Sequence, residues 1–362
     1  MFQAERDALI DAGNEIKTCV LHNTDYVQKP KWRQAISVFW NSDSYKKIRQ
    51  QIQAFRPSVI HVHNIFPFFS PSVLWAAKKE KVPVVVTLHN YRLICANGLF
   101  YRDDRPCEKC VGKLFPWPAV TYRCYRNNRL QTLLVALSMF FHRLIGSWNI
   151  HHYFIAPTAF AAQKLSSLIP ETRLVVKPHF ATAYSSTFIP KNNHAVFVGR
   201  LSAEKGFDWL LDSWHTLKAN IPLDIIGDGE IPEGVDPRIT FHGRLEPEKL
   251  RALLAQAAVA VIPSRCYETF SNIVVEAFAA GTAVIAPTNT APASLITVGE
   301  TGSLFPRDDV FAFQSLIEEY TNDAARAERE GKNALAEYQQ KYQAKENIDM
   351  LLAIYQRSIN AT

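Results

Sequence analysis

The fold is decided by residues 258–286, AVAVIPSRCYETFSNIVVEAFAAGTAVIA. The apolar, β-branched run 259–262 predicts a buried parallel strand, which a proline ends. A polar loop follows, and Ser271 is placed to cap a helix that has a broad apolar face and stops at Gly281. The apolar run 283–286 predicts the next strand. The stretch is therefore a β–loop–α–β unit, and open α/β sheets bind ligands at the loop after the first strand.

Two glutamates, Glu268 and Glu276, lie in this stretch with seven residues between them. The segment E-T-F-S-N-I-V-V-E, followed by A-F-A-A-G, closely resembles the signature of retaining glycosyltransferases of family 4, which have the GT-B fold. In that family the first glutamate hydrogen-bonds the donor sugar and the second holds the ribose of the nucleotide. The resemblance implies that Glu268 is catalytic and that Glu276 binds the donor.

The start of the helix has the chemistry that a phosphate site needs. A helix N-terminus presents unpaired N–H groups and the positive end of its dipole to an anion. By the resemblance, the donor diphosphate lies against the residues that open the helix, namely Phe270, Ser271, Asn272 and Ile273. Two surface glutamates beside an ordinary helix are the bland alternative, and the complete pattern argues against it.

Length, charge and composition bound the remaining possibilities. A chain of 362 residues suits two α/β domains. The net charge of +6 suits anionic partners, either nucleotide-sugars or an acidic membrane face, whereas no nucleic-acid-binding motif is present. No secretion signal is visible and the longest apolar run, 133–141, is too short to cross a bilayer. We therefore expect a cytoplasmic protein with reduced cysteines and no nucleic-acid partner.

Residues 1–180 alternate between helix and strand patterns, which predicts a first doubly wound domain. Predicted strands cover 16–21, 59–63 and 82–88, and the last of these leads directly into His89. Family members often place a histidine at this position facing the reacting sugar, so the resemblance makes His89 a second catalytic candidate. A purely structural role for His89 is the alternative.

The start of the chain departs from the family pattern. Relatives normally begin with a strand and a glycine-rich loop ahead of the first helix, and here Gly13 is the only glycine before Gly98. We expect the strand at 16–21 to lack a neighbour on one side. We also expect this form to bind nucleotide but to transfer sugar poorly, and a non-catalytic partner protein of the same fold is the corresponding alternative.

An irregular insert at 90–126 holds four cysteines: Cys95, Cys107, Cys110 and Cys124. A tetrahedral Zn²⁺ bound by these thiolates would stabilise a loop with little core of its own. The outer spacings are not those of a standard finger or ribbon, so four reduced structural thiols are the alternative. No D-x-D metal motif is evident, and we expect catalysis to require no cofactor.

The segment 130–148 is apolar and follows three arginines. Such a segment forms either a buried helix or a helix that lies at a membrane interface. Family members often meet lipid-linked acceptors through this part of the first domain, so peripheral contact with the inner face of the cell membrane is one of two alternatives.

A second domain is predicted at 194–340, after a linker at 181–193 that is rich in serine and threonine. Its first strand ends in G-R-L, followed by E-K-G before a helix, and in relatives this arginine and lysine hold the donor diphosphate. The resemblance assigns these roles to Arg200 and Lys205. The predicted strand at 223–226 is followed by a glycine turn at Gly227 and Gly229, where the backbone can approach a nucleotide, although G-D-G by itself is a weak signal. The final helix, 341–362, is expected to return to the first domain.

The resemblance therefore implies a GT-B architecture of two Rossmann-like domains facing a cleft. The implied reaction moves a sugar from a UDP- or GDP-sugar to a hydroxyl of a saccharide or lipid-linked acceptor, with retention, in surface polysaccharide or glycolipid synthesis. A sugar-nucleotide 2-epimerase shares the architecture but lacks the E-T-F-S-N…E pattern, so Glu268 argues against it.

Overall fold

A computed structural model describes residues 1–21, 30–150, 152–182 and 189–361. The chain divides into two compact units. Unit 1 comprises Met1–Phe100, Cys107–Lys177 and Ile348–Thr362, and unit 2 comprises Tyr101–Pro106 and Pro178–Asn347. The short segment 101–106 thus interrupts the continuous first domain expected at 1–180. Residues 183–188 of the expected linker lie outside the described residues.

The chain up to Lys177 alternates between helices and strands. The helices are α1 (Phe2–Asp11), α2 (Lys31–Phe39), α3 (Ser42–Phe55), α4 (Ser72–Lys79), α5 (Trp117–Thr121), α6 (Arg129–Leu144) and α7 (Ala159–Leu165). The strands are β1 (Ile60–His63), β2 (Val84–Thr87), β3 (Tyr101–Arg102), β4 (Arg105–Pro106), β5 (His152–Ala156) and β6 (Leu174–Val176). The insert between β2 and α6 is therefore not wholly irregular, since it contains the β3–β4 hairpin and α5.

From Pro178 onward the same alternation continues and then gives way to helices. The strands are β7 (Ala195–Val198), β8 (Leu223–Ile226), β9 (Ile239–Gly243), β10 (Val259–Val261), β11 (Val284–Pro287) and β12 (Gly302–Phe305). The helices are α8 (Phe207–Thr216), α9 (Pro247–Gln256), α10 (Asn272–Ala279), α11 (Val310–Asn322), α12 (Ala324–Lys341) and α13 (Ala344–Asn360). Helix α13 begins in unit 2 and continues into unit 1.

The sheet of unit 1 has the strand order β1-β2-β5-β6, and all its neighbouring strands are parallel. Val85 of β2 and Ile155 of β5 are buried in its core. Leu9 of α1 and Leu351 of α13 belong to the same apolar cluster. Continuous burial along β2 explains its unbroken run of valines, because helices cover both faces of such a sheet.

The strand expected at 16–21 does not form: the backbone from Asn14 to Leu21 belongs to no strand. Among the described residues, β1 hydrogen-bonds to β2 alone. A strand needs a hydrogen-bonded neighbour, and the local sequence that predicted this strand cannot supply one. Ile16 packs against the core of unit 1, while Val20 is exposed.

The sheet of unit 2 has the order β12-β11-β10-β7-β8-β9 and is parallel throughout. Buried aromatic and branched side chains such as Trp214, Phe313 and Val259 form its core. The quoted stretch 258–286 is the β10–α10–β11 unit, and Gly281, with φ +69°, follows α10 as expected.

Two glycines of unit 2 are required by close backbone approach. A Cβ at Gly227, where φ is +149°, would lie 1.8 Å from the carbonyl oxygen of Gly199. A Cβ at Gly229 would lie 2.4 Å from Cβ of Leu201. The turn after β8 therefore packs directly on the G-R-L turn after β7.

We expect Gly227→Ala to lower the free energy of unfolding by about 3 kcal/mol, because the added carbon meets backbone in a strained conformation. Gly234→Ala is the matched control: Gly234 also has positive φ (+69°), but nothing lies within 4 Å of its added carbon. Its cost should be about 1 kcal/mol. Equal costs in urea denaturation would contradict the close approach.

Candidate functional site

Two loops of unit 2 meet at the carboxyl ends of the neighbouring strands β7 and β10. Lys205 ends a short 3₁₀ turn after β7, and Glu268 lies on the loop after β10. Lys205 Nζ lies 3.0 Å from Glu268 Oε2, and the hydroxyl of Ser264 donates a hydrogen bond to Glu268 Oε1. The structure thus brings together two residues that the sequence assigned to the site separately.

Backbone contacts hold these loops in place. The carbonyl oxygen of Glu204 accepts hydrogen bonds from the backbone N–H groups of Arg265 (3.1 Å) and Cys266 (3.2 Å). Arg307, which follows β12, donates from Nη1 to the carbonyl oxygen of Arg265 at 2.9 Å. A Cβ at Gly206 would lie 2.1 Å from the carbonyl oxygen of Pro263, so only glycine fits there. The glycine of E-K-G is therefore needed for loop packing.

Arg200 takes a different position from Lys205. Its guanidinium forms an ion pair with Glu204, with Nη2 and Oε1 2.9 Å apart, and 68% of its side chain is exposed. Because exposed ion pairs contribute little free energy, Arg200 can exchange Glu204 for another anion at small cost.

The first turn of α10 differs in detail from the expectation. Ser271 occupies the N-cap position, as expected, although its side chain makes no capping hydrogen bond. Phe270 is buried in the core and packs edge-on against His179, with 4.8 Å between ring centroids. Only its backbone can therefore face a ligand. Asn272 is exposed and Ile273 is partly buried.

Glu276 lies one turn into α10 and is partly buried. Burial raises the pKa of its carboxyl, and the positive charge of Arg251 opposes that rise. A carboxylate in such a position favours a ligand that donates hydrogen bonds to it, because these bonds replace the lost water.

His89 belongs to unit 1, where it follows β2 at the carboxyl edge of the sheet. Its Nε2 lies 2.8 Å from Nδ1 of His63, which ends the neighbouring strand β1. Burial lowers the pKa of both imidazoles to about 4, so both are neutral at physiological pH. The parallel pairing of β1 with β2 could have predicted this contact, because each strand carries a histidine at its carboxyl end.

The four cysteines of the insert, for which the sequence left open either a zinc site or structural thiols, do not form a group of candidate metal ligands in the described residues. Cys95 and Cys110 are buried, and the thiol of Cys95 donates a hydrogen bond to Asn97 Oδ1 at 3.0 Å. Among the residues that the structure describes, three ligand atoms lie within 4.8 Å of one another only in the group formed by Glu5, His61 and His63. Since the four sulfur atoms are not within that distance, the alternative of structural thiols fits their positions.

The group of Glu5, His61 and His63 is better described as a hydrogen-bonded network than as a cation site. The ammonium of Lys177 is 2.9 Å from Glu5 Oε1 and already supplies the positive charge. His61 contacts the hydroxyl of Thr87 through Nε2 and that of Tyr355 through Nδ1, both at 2.7 Å. No sequence pattern pointed to Glu5 or Lys177, which are 172 residues apart.

Two family models match this chain. The model of Glycosyl transferases group 1 matches residues 192–323, and that of Glycosyltransferase Family 4 matches residues 14–181. Among curated relatives, an alpha-maltose-1-phosphate synthase of Mycobacterium tuberculosis is 30% identical over 44% of this chain and 48% of its own length. A GDP-mannose-dependent alpha-mannosyltransferase of Corynebacterium glutamicum is 35% identical over 33% of this chain and 29% of its own. The chain thus matches about half or less of the length of these relatives.

Solved structures resemble the whole chain more completely. A sucrose-phosphate synthase from Thermosynechococcus elongatus aligns with a TM-score of 0.67 and 16% identity, over 99% of this chain and 92% of that one. Anabaena HepE, crystallised in complex with UDP, aligns with a TM-score of 0.62 and 16% identity, over 85% and 80%. At this identity the likeness shows the fold, and the expectation of a GT-B protein with two Rossmann-like domains is confirmed.

The buried carboxyl of Glu276 gives a stability prediction. Because its folded-state pKa is above the unfolded value, ionisation disfavours the folded state at pH values above the raised pKa, and this effect vanishes below the unfolded pKa. We expect Glu276→Gln to raise the free energy of unfolding by about 1 kcal/mol at neutral pH and to change it little near the unfolded pKa. Exposed Glu233→Gln is the control, and the same gain in both variants would contradict the prediction.

Proposed function

Because this chain belongs to glycosyltransferase family 4, we propose that it transfers a sugar from a nucleoside diphosphate donor to a hydroxyl group, with retention at the anomeric carbon. The observation that carries the proposal is the contact between Lys205 and Glu268 at the carboxyl edge of the unit 2 sheet. Lys205 would supply the positive charge for the leaving diphosphate, and the adjacent carboxylate of Glu268 would hydrogen-bond the sugar.

The charges at this edge suit the developing negative charge of the reaction. The bond between the anomeric carbon and the diphosphate oxygen breaks, and the acceptor oxygen forms the new bond on the same face. The proton of the acceptor hydroxyl passes to the departing phosphate oxygen. Lys205 stabilises that phosphate as a point charge, Arg200 as a fork of donors, and the start of α10 through its backbone N–H groups.

In the absence of donor, Lys205 and Glu268 satisfy each other. We infer that donor binding breaks this ion pair. Lys205 then binds the diphosphate, and the carboxylate of Glu268 accepts a hydrogen bond from a sugar hydroxyl. The hydrogen bond from Ser264 to the other oxygen of Glu268 remains. Glu276 then accepts hydrogen bonds from the ribose hydroxyls, which relieves the cost of its burial.

The base of the donor is a finer proposal. HepE was crystallised with UDP and with UDP-glucose, which supports a uridine nucleotide, whereas the mannosyltransferase relative supports GDP. A thermal-shift screen against UDP, GDP and ADP tests the proposal, because a nucleotide that binds the folded state raises its melting temperature. No shift with any of the three would contradict donor binding.

We expect Lys205→Ala to lower kcat/KM for sugar transfer by about 10²–10³-fold, which corresponds to the loss of one preorganised donor to the leaving group. Lys218→Ala, an exposed lysine of the same unit, is the matched control and should leave the rate unchanged. Near-normal turnover in folded Lys205→Ala protein, or release of UDP without transfer to any acceptor, would contradict the proposed role.

We further propose that unit 1 docks on an anionic membrane surface, where a lipid-linked acceptor would be reached. More than half of the large apolar side chains that are exposed among the described residues lie between Trp32 and Leu144. The membrane-binding face that we propose consists of seven exposed residues: Trp32, Ile36, Trp117, Leu130, Leu137, Phe141 and Leu144. These residues lie on α2, α5 and α6, and α2 and α5 both pack against α6.

Charge supports an anionic surface as the partner. Residues 109–170 contain no aspartate or glutamate and seven lysines and arginines. On α6, Leu130, Leu137, Phe141 and Leu144 follow the spacing of one helical stripe, which is the pattern of an interfacial helix. The sequence left a buried or an interfacial helix open, and this exposed stripe supports the second. No helix among the described residues has the length and apolar composition needed to span a membrane.

We expect the double variant Leu130→Asp, Leu144→Asp to bind vesicles containing phosphatidylglycerol about 100-fold more weakly, because two leucines lose apolar burial and negative charges are added. Phe311→Asp, at an 81% exposed phenylalanine of unit 2, is the matched control. Flotation assays at low and high salt would measure this, and equal binding by both variants would contradict the proposed face.

A further inference from the structure

Arg265 connects three separate segments of unit 2. Its Nε donates a hydrogen bond to the carbonyl oxygen of Asp104 at 3.0 Å, and its Nη1 lies 2.6 Å from Oδ1 of Asp308. Its backbone N–H donates to the carbonyl oxygen of Glu204 at 3.1 Å, and its own carbonyl oxygen accepts from Arg307. These partners lie on the β3–β4 hairpin, after β12 and after β7. Only 15% of the Arg265 side chain is exposed, so it is enclosed by its partners.

Arg265 also lies close in sequence or in space to both charged residues of the candidate site. Glu204 directly precedes Lys205, and Arg265 is three residues before Glu268. The carbonyl oxygen of Glu204 accepts hydrogen bonds from the N–H groups of both Arg265 and Cys266. The turn that carries Lys205 and the loop that carries Glu268 are thus linked at a single oxygen. The side chain of Arg265 connects this link to two further segments.

The link between the two loops matters most when a donor is bound. Without donor, the ion pair of Lys205 with Glu268 also holds the loops together. In the proposed reaction the diphosphate replaces Glu268 as the partner of Lys205, so this ion pair is lost. The two hydrogen bonds to the carbonyl oxygen of Glu204 do not involve those side chains and remain. Their geometry is important, because a shift of about 1 Å in reacting groups can lower a rate by about 100-fold.

The hairpin that contacts Arg265 has a tightly defined backbone. It covers residues 101–106 and belongs to unit 2. Its strands pair so that only Asp103 and Asp104 form the turn, and both have positive φ, +51° and +54°. Positive φ at both central residues is typical of the type I′ turn, which matches the twist of a short hairpin. The hydroxyl of Tyr101 donates to Oδ1 of Asp104 across the turn. The carbonyl oxygen that Arg265 binds is therefore held in one direction.

We propose that Arg265 is a positioning residue, which holds the turn of Lys205 and the loop of Glu268 at the separation that the donor requires. The hairpin 101–106 acts on the site through Arg265. The identity of the donor as a nucleoside diphosphate sugar rests on the proposed function. In that function the diphosphate contacts Lys205 and the start of α10, whereas the sugar contacts Glu268. Arg265 therefore affects the reaction of the sugar more than the binding of the nucleotide.

Amide hydrogen exchange of the full chain without ligand tests the link between the loops. We expect Arg265→Met to reduce the protection of the amides at 265 and 266 about 10-fold, because the loop opens more often. Arg238→Met is the matched control and should leave these amides unchanged. Arg238 is 16% exposed, pairs with Asp236 and donates to the carbonyl oxygen of Leu217, but it precedes β9. Unchanged protection in Arg265→Met protein would overturn the positioning role.

Kinetics separate positioning from stability. UDP-glucose and GDP-mannose are the donor probes, and UDP and GDP are the binding probes. We expect Arg265→Met to lower the rate of nucleotide release from the donor about 10- to 100-fold, with a Kd for the nucleotide that changes less than about 3-fold. Arg238→Met should lower Tm to a similar degree without lowering this rate. Equal losses of rate in the two variants would overturn the proposal.

The role of the hairpin is tested by a double-variant cycle. Asp103→Pro cannot adopt the φ of +51° and so displaces the carbonyl oxygen of Asp104. We expect it to lower the rate about 10-fold, as a misplaced loop would. Asp103→Gly retains the turn and should leave the rate unchanged. Added to Arg265→Met, Asp103→Pro should lower the rate no further, and losses that multiply would overturn the action of the hairpin through Arg265.

Two further results keep the outcomes distinct. If Arg265→Met does not fold, Arg265→Lys takes its place, since lysine keeps a positive charge for Asp308 but has no Nε–H for the carbonyl oxygen of Asp104. The same loss of protection at 265 and 266 is expected, and its absence would overturn the proposal. Failure of the unmodified protein to bind UDP or GDP would contradict the proposed function instead, because amide exchange is measured without ligand.

Discussion

The parallel pairing of β7 with β10 is the constraint on which the candidate site of unit 2 depends. Val259 pairs with Ala195 and Val261 with Phe197, so the two strands end at the same edge of the sheet. The loops that follow carry Lys205 and Glu268, which are far apart in sequence and 3.0 Å apart in space. A shift of this register by one residue would move every buried side chain of β10 to the wrong face. The apolar core of unit 2 therefore fixes the geometry of its polar edge.

Absent side chains are as important at this edge as the charged ones. Gly206 lies against the backbone of Pro263, and Gly227 lies against that of Gly199. Such contacts leave no room for even one methyl group, so the loops are held by backbone rather than by exchangeable side chains. The charged residues lie on this rigid base, and the exposed guanidinium of Arg200 is the part that can change partners at small cost.

Unit 1 differs from unit 2, because several of its polar side chains are buried and contact one another, whereas the charged residues of unit 2 lie on loops. A buried lysine and glutamate must stay paired, since removing either leaves an uncompensated charge at a cost of about 3–5 kcal/mol. That requirement ties α1 to the end of β6 through Glu5 and Lys177. Glu5 Oε2 also lies 3.6 Å from Nε2 of His63, and Nδ1 of His63 lies 2.8 Å from Nε2 of His89, so the buried ion pair and the two imidazoles form one polar cluster.

The sequence by itself determined the alternation of strands and helices, the β10–α10–β11 unit and the identity of Lys205, Glu268 and Glu276, because these depend on local periodicity and on a distinctive motif. It did not determine the conformation of residues 16–21, since a strand forms only with a hydrogen-bonded neighbour. It also did not determine where the four cysteines of the insert lie relative to one another, since thiols in one segment need not converge. Only the tertiary structure showed that Ser264 and Arg307 organise the Glu268 loop, that Glu5 reaches His63, and that α6 keeps an apolar stripe exposed. Each of these is a contact, or a lack of one, between segments remote in sequence, and local patterns carry no information about which remote groups burial will bring together.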